Sequence, residues 1–213
     1  MDKPVHDIIS KRRSIRRFKQ DPIPFETLER LVDLARVAPS SANLQPLQYI
    51  VVDDPQILLS VFAALKWAGY IAPRGNPPEG EKPVAYIVVL ADEQMATSGH
   101  ERDVGASVEN ILLAALEDGI GSCWMCSIDR DKLREALGVP SHLKIDSVVA
   151  LGYSAESPVL EETSDSIKYW KDESGTLHVP KWKLKDIIHH NEFCRATDYD
   201  ETKIRIIKDR LEE

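Results

Sequence analysis

Apolar residues recur along this chain with two different periods, and the changes of period mark out its elements. Val5, Ile8 and Ile9 fall on one side of a short helix over residues 4–12. Leu28, Leu31, Val32 and Ala35 follow i, i+3, i+4, i+7 spacing, which predicts an amphipathic helix beginning after Pro22-Ile23-Pro24 and ending near Pro39. Ala38-Pro39-Ser40-Ser41-Ala42-Asn43-Leu44-Gln45-Pro46 is a loop, because two prolines bracket residues that favour turns. Tyr49 to Val52 reads as a strand, 56–67 as a helix, and Val84 to Leu90 as a nearly continuous apolar strand.

The second half repeats the alternation and then loses it. Val104, Val108, Ile111, Leu112 and Ala115 share one face of a helix over 101–118 that Gly119 stops. A strand over 122–127, a helix over 129–137 and a strand over 145–151 follow. Residues 154–180 read as an extended polar connection and 184–193 as a short helix. The stretch 198–213 is highly charged with Ile204, Ile206, Ile207 and Leu211 interspersed, a surface helix or an arm reaching a partner. Gly69 to Pro83 carries three glycines and four prolines, a long loop of the kind that often forms a lid.

Composition narrows the function classes. With 213 residues, 43% hydrophobic and 29% charged, the chain can bury a substantial core. A formal net charge of −8 argues against a broad nucleic-acid surface, which needs an excess of Lys and Arg. No run reaches the roughly 18 apolar residues of a membrane span, and the N-terminus lacks the apolar core of a signal peptide. The three cysteines fit a reducing compartment, so a cytoplasmic location is expected.

Against that acidic background, Arg12-Arg13-Ser14-Ile15-Arg16-Arg17 marks a local anion site. Arginine offers a fixed fork of donors to phosphate oxygens, and a serine hydroxyl can complete the cradle. The competing reading is a solvated helix end whose cations suit the C-terminal dipole. Gly119-Ile120-Gly121 lacks the third glycine of a dinucleotide fingerprint and has no Walker lysine, so it reads as a helix stop and tight turn. Cys123-Trp124-Met125-Cys126 has CxxC spacing but falls in a strand, without the helix N-terminus that activates a redox dithiol and without further zinc ligands. None of the six histidines forms HExxH, and no serine sits in a nucleophile elbow. No metal and no catalytic side chain is expected; an organic cofactor would carry the chemistry.

Four segments together resemble the FMN-dependent nitroreductase family: Arg12 to Phe18; Ala38 to Pro46; Asp103-Val104-Gly105-Ala106-Ser107-Val108-Glu109-Asn110 with Gly119 to Trp124; and Val149-Ala150-Leu151-Gly152-Tyr153. Their order and spacing cover nearly the whole chain. The resemblance implies an α+β sandwich with a mostly antiparallel central sheet flanked by helices, an FMN-binding domain over 1–193 and a charged extension over 194–213. It also implies a homodimer with FMN at the interface. By position, Arg12, Arg13, Ser14 and Arg16 would hold the FMN phosphate and ribityl chain, and Lys181 and Lys183 would stand in for a basic pair near the C-terminus. From the other subunit, Pro39, Ser40, Ser41, Asn43 and Gln45 would line the flavin. Cys126 and Ser127 would offer backbone groups to the ring edge, where relatives sometimes have glutamate and glycine. Leu47 replaces a common tryptophan, and 66–83 matches no subgroup.

The implied activity is ping-pong electron transfer from NADH or NADPH to a nitroaromatic, quinone or related electrophilic acceptor, both using one flavin face in turn. A flavin-binding carrier or sensor without rapid turnover is the alternative, and reductive dehalogenation or flavin breakdown on the same fold is a further enzymatic variant.

Overall fold

The computed structural model describes residues 4–96 and 98–193. It is an α+β sandwich built on strands β1 (Leu47–Val52), β2 (Ala85–Asp92), β3 (Ile120–Met125) and β4 (Leu143–Tyr153). Their order is β1-β2-β4-β3, and every neighbouring pair is antiparallel. β2 is buried along nearly its whole length, because both faces of the sheet are covered.

Alternation divides the core. Tyr86, Val88 and Leu90 face a layer that includes Val61 of α3 (Pro55–Ala63) and Leu133 of α5 (Arg130–Leu137). Ala85, Ile87 and Val89 face Leu28, Leu31 and Ala35 of α2 (Phe25–Arg36) and Val104, Val108, Ile111 and Ala115 of α4 (His100–Glu117). A register shift at Val89/Leu90 lets Ile145 join the same layer as Val148 and Ala150 despite its odd position, as an extra residue in a strand requires. The apolar stripes of α2 and α4 thus find the partner their spacing demanded. The first helix, α1 (Pro4–Lys11), does not: it buries no residue, and Val5 and Ile9 remain 60% and 53% exposed.

The segment after α1 is laid across the end of the sheet. Ile15 N–H donates to the Ser122 carbonyl at 2.8 Å and Lys19 N–H to the Tyr153 carbonyl at 2.8 Å. Short bridges join Ser14 to Ser122 and Phe18 to Ser154. Two glycines permit this approach. A Cβ on Gly121 would meet Ile15 at 3.0 Å, and one on Gly152 would meet Phe18 at 2.8 Å. Phe18 is fully buried, and Ile15 nearly so.

Residues 154–180 depart from the expected polar connection. They fold, with the residues that follow, into a second sheet of β5 (Val159–Thr163), β6 (Trp170–Lys171) and β7 (Leu177–Trp182), in the order β5-β7-β6. β5 runs parallel to β7 and β6 antiparallel to it. The expected helix over 184–193 shrinks to a 3-10 turn, Leu184–Asp186, because Leu184, Ile187 and Ile188 find no apolar surface here to cover them. The Gly69 to Pro83 stretch is folded on itself at its start: Ile71 N–H donates to Ala68 O, Gly75 N–H to Ile71 O and Asn76 N–H to Pro73 O. The charged stretch 198–213 lies outside the described residues.

His178 fastens the second sheet. Its Nδ1 lies 2.5 Å from Glu161 and its Nε2 3.2 Å from Asp172, and its ring stacks on Trp170 at 4.2 Å. With both nitrogens facing carboxylates, the imidazolium form makes both bonds as donor. The bonds to Glu161 and Asp172 raise its pKa. Bonds from Ser174 and His178 lower that of Asp172 to about 2.

Two outcomes are expected. Gly152→Ala forces Phe18 or the strand to move and lowers stability by about 1–3 kcal/mol, read as a lower denaturant midpoint. The raised imidazole makes its link complete below the unfolded histidine value of roughly 6.5 and lost as pH rises through the folded value. The Asp172 contribution is present above its ordinary 3.8 and lost as pH falls towards about 2. Amide exchange in β7, corrected for intrinsic rates, therefore accelerates relative to β2 as pH rises above roughly 6.5, and His178→Gln flattens that dependence.

Candidate functional site

In the strip 12–18, Ile15 and Phe18 turn into the core, and the hydrophilic residues around them stay partly exposed. Arg12, Arg13, Ser14 and Arg16 line one cleft of about 400 Å³, with Ile9 of α1 on one wall and Leu160, Tyr169, Val179 and Lys181 of the second sheet region on the other. The second sheet thus closes a cleft that the strip alone leaves open.

Positive charge is concentrated there with little to balance it. Arg12 Nε lies 3.4 Å from Glu109 of α4, a pair that is partly exposed and so weakly stabilising. Arg13 donates to the Arg12 carbonyl. Burial, and secondly the charge of Arg12, push the Arg13 pKa down. The Arg16 guanidinium carbon stands 5.2 Å from the centre of the Tyr169 ring, a cation–π contact, while its backbone N–H donates to Glu156 at 2.6 Å. Among the described residues Arg13, Arg16 and Lys181 form no ion pair with a carboxylate. Arg17 is different: it pairs with Glu81 at 3.2 Å. Such a donor set suits a multiply charged oxyanion.

A second, smaller cleft of about 120 Å³ lies between the end of α2, the 38–46 loop, β1 and α4. Pro39, Ser40 and Gln45 line it with Tyr49, Asp103 and Ser107. The loop holds an unusual backbone: Ala42, Asn43 and Gln45 have φ of 49°, 56° and 52°, in the left-handed region that side chains disfavour. Hydrogen bonds keep it there. The buried Asp103 carboxylate accepts Ser41 N–H at 3.0 Å, Ser40 Oγ accepts Gln45 N–H at 3.1 Å, and the Ser40 carbonyl accepts Asn43 N–H at 3.0 Å. The hydroxyls of Tyr49 and Ser107 are 2.6 Å apart; burial raises the Tyr49 pKa and the Ser107 bond opposes it.

The sequence-derived residues therefore form two groups. Arg12, Arg13, Ser14, Arg16 and Lys181 surround the basic cleft, and Pro39, Ser40, Ser41, Asn43 and Gln45 belong to the loop beside the smaller one. Lys183 lines neither; its N–H donates to the Thr163 carbonyl at 3.2 Å. Cys126 and Ser127 follow β3 and also stand apart, their carbonyls taken by Arg130 and by Lys66 N–H. The CxxC pair is divided between a buried Cys123 and an exposed Cys126, and burial raises both thiols, so neither is an activated nucleophile. The glycines of Gly119-Ile120-Gly121 serve a helix end at φ +73° and the close approach of Ile15.

Sequence reasoning missed Tyr169 and the task of Asp103. Asp103 stood inside a quoted motif, yet an acid in a first helical turn ordinarily reads as a solvated dipole partner. Among the described residues no group of three or more His, Cys, Asp or Glu could hold a metal, and no helix is long and apolar enough to cross a membrane.

Known proteins resemble this chain in sequence and fold. The model of the nitroreductase family matches residues 9–153, from α1 to the end of β4. An NADH dehydrogenase of Thermus thermophilus is 34% identical over 173 residues, 68% of this chain and 84% of its own. An iodotyrosine deiodinase of Thermotoga neapolitana is 28% identical over 166 residues, 71% of this chain and 89% of its own. Among solved structures, an FMN-dependent nitroreductase from Clostridium difficile superimposes with a TM-score of 0.63 at 27% identity, covering 87% of this chain and 98% of that one. The matched span holds the arginine strip, the strained loop with its Asp103 anchor and both glycines beneath Ile15 and Phe18, and through it this chain belongs to the nitroreductase family.

Proposed function

We propose that the protein is an FMN-dependent oxidoreductase that takes electrons from NADH or NADPH and passes them, in a ping-pong cycle, to nitroaromatic, quinone or related electrophilic acceptors. The observation that carries this reading is the basic cleft: four cations and two serines line about 400 Å³, and three of those cations lack a carboxylate partner among the described residues. A phosphate monoester fits that donor set in charge and in geometry. Bound FMN would supply the two-electron chemistry that amino-acid side chains lack.

The chain's own work is binding and orientation. Arg12, Arg13, Ser14, Arg16 and Lys181 hold the phosphate end, Lys183 adds charge from the end of β7, and Pro39, Ser40, Ser41, Asn43 and Gln45 form the wall for the ring. Cys126 and Ser127 contribute backbone groups at its edge. Donors aimed in advance at a site of developing negative charge stabilise it without reorganising. The left-handed backbone of the loop, fixed by Asp103, is that kind of preparation. No residue is assigned as proton donor.

The cleft and the loop wall form two separate pockets of one chain, and the family resemblance implies that a complete site takes the loop from a second copy. Two observations support a homodimer. The apolar side of α1 is uncovered at Val5 and Ile9, and so are Val37, Leu44, Leu184, Ile187 and Ile188. A single chain gains nothing by exposing a run of this kind.

The absorption spectrum of the purified protein, before and after anaerobic addition of NADH or NADPH, tests the reading. A yellow protein bleached by a nicotinamide and reoxidised by quinones or nitro compounds is expected. Bleaching with turnover at background would mark a carrier or sensor instead, and protein that takes up no FMN would end the proposal. Arg12→Ala and Arg16→Ala should each weaken FMN binding by about 1–3 kcal/mol, or about 5- to 150-fold in Kd, in a fluorescence titration.

A further inference from the structure

Tyr169 joins two parts of the molecule that share no element. It lies just ahead of β6 and lines the basic cleft, where its ring faces the Arg16 guanidinium at 5.2 Å. Its hydroxyl oxygen accepts Tyr70 N–H at 3.4 Å, and the two tyrosine rings are 4.9 Å apart at 52°. Lys168 Nζ stands 6.0 Å from the centre of the Tyr70 ring, so the neighbour of Tyr169 grips the same side chain.

Tyr70 belongs to a segment tied within itself. Residues 68–76 are tied by the three backbone bonds noted above, and Gly75 approaches Ala68 so closely that a Cβ there would lie 2.2 Å from the Ala68 Cβ. The far end of the longer stretch is tied to the strip as well. Arg17 pairs with Glu81 at 3.2 Å, and Phe18 N–H donates to the Glu81 carbonyl at 3.0 Å. Adjacent arginines therefore reach opposite ends of one connection, Arg17 directly and Arg16 through Tyr169. The strip is seated on the sheet by Ile15 and Phe18, so this frame has one fixed side and one adjustable side.

We propose that Tyr169 is a positioning residue: it orients Arg16 for the anion and couples occupancy of the basic cleft to the order of segment 68–76. The inference rests on the cleft being the FMN phosphate site. A guanidinium with no carboxylate partner has many orientations, and a ring face against it removes some of them before the ligand arrives. An anion that draws Arg16 into one orientation sets the ring, and the ring sets the Tyr70 contacts. Linkage makes the effect mutual: whatever orders segment 68–76, including an acceptor resting on it, must tighten the hold on the anion.

The test uses the full-length apoprotein, FMN titration and amide hydrogen exchange over 68–76 with and without FMN. In the wild type, FMN should slow exchange in that segment. Tyr169→Ala should weaken FMN about two- to fivefold, the scale of a cation–π contact, and abolish the protection. In an Arg16→Ala background the same substitution should have no further effect on Kd. Tyr169→Phe keeps the ring but loses the acceptor; it should weaken FMN less than Tyr169→Ala while still speeding exchange at Tyr70. Additive losses from Arg16→Ala and Tyr169→Ala, or undiminished protection in Tyr169→Ala, would overturn the coupling while leaving the cleft's assignment standing. A wild type that binds no FMN would overturn both.

Discussion

Two methylene-scale contacts decide where the cations of this protein stand. Ile15 rests on Gly121 and Phe18 on Gly152, at distances that leave no room for a side chain on either glycine. Those contacts, with the backbone bonds from Ile15 and Lys19 to β3 and β4, pin an extended strip across the sheet's end. With Ile15 and Phe18 driven inward by burial, the arginines and serine around them are left partly exposed, and the cleft acquires its charge as a by-product of core packing.

Charge placed in this way is held apart from its neutralising partners. The chain as a whole is acidic, yet Arg13, Arg16 and Lys181 draw no carboxylate into an ion pair among the described residues. Arg17, one step along, has one in Glu81. The contrast within a single strip separates a cation that fastens structure from cations proposed to take an anion. The loop at 38–46 follows the same logic in its backbone, since Ala42, Asn43 and Gln45 are kept in a disfavoured region by a buried carboxylate and a serine hydroxyl. Both halves of the candidate site are held ready by neighbours outside it.

What could be read from the sequence follows from how local each signal is. β2 and α4 are long, strongly periodic and covered, so their patterns stand alone. The arginine strip announced itself by residue type, and the loop by its prolines and polar residues. The second sheet did not, because β5 and β6 are short and half exposed, and the parallel pairing of β5 with β7 depends on residues well separated in the chain. The helix expected over 184–193 had the right apolar spacing but no surface among the described residues to bury it. Tyr169 was invisible for a related reason: a tyrosine in a polar stretch gives no sign that an arginine more than a hundred residues away lies beneath its ring.

The bridge between Ser14 and Ser122 also bears on how the protein stays in solution. β3 is an outer strand of the four-stranded sheet, and its free side would be a template for pairing with other chains. The arginine strip covers part of that side, offering Ile15 N–H to Ser122 and presenting charge outward. The strip proposed to hold the anion is therefore also the strip that shields this strand edge. A change that loosened it would uncover part of β3.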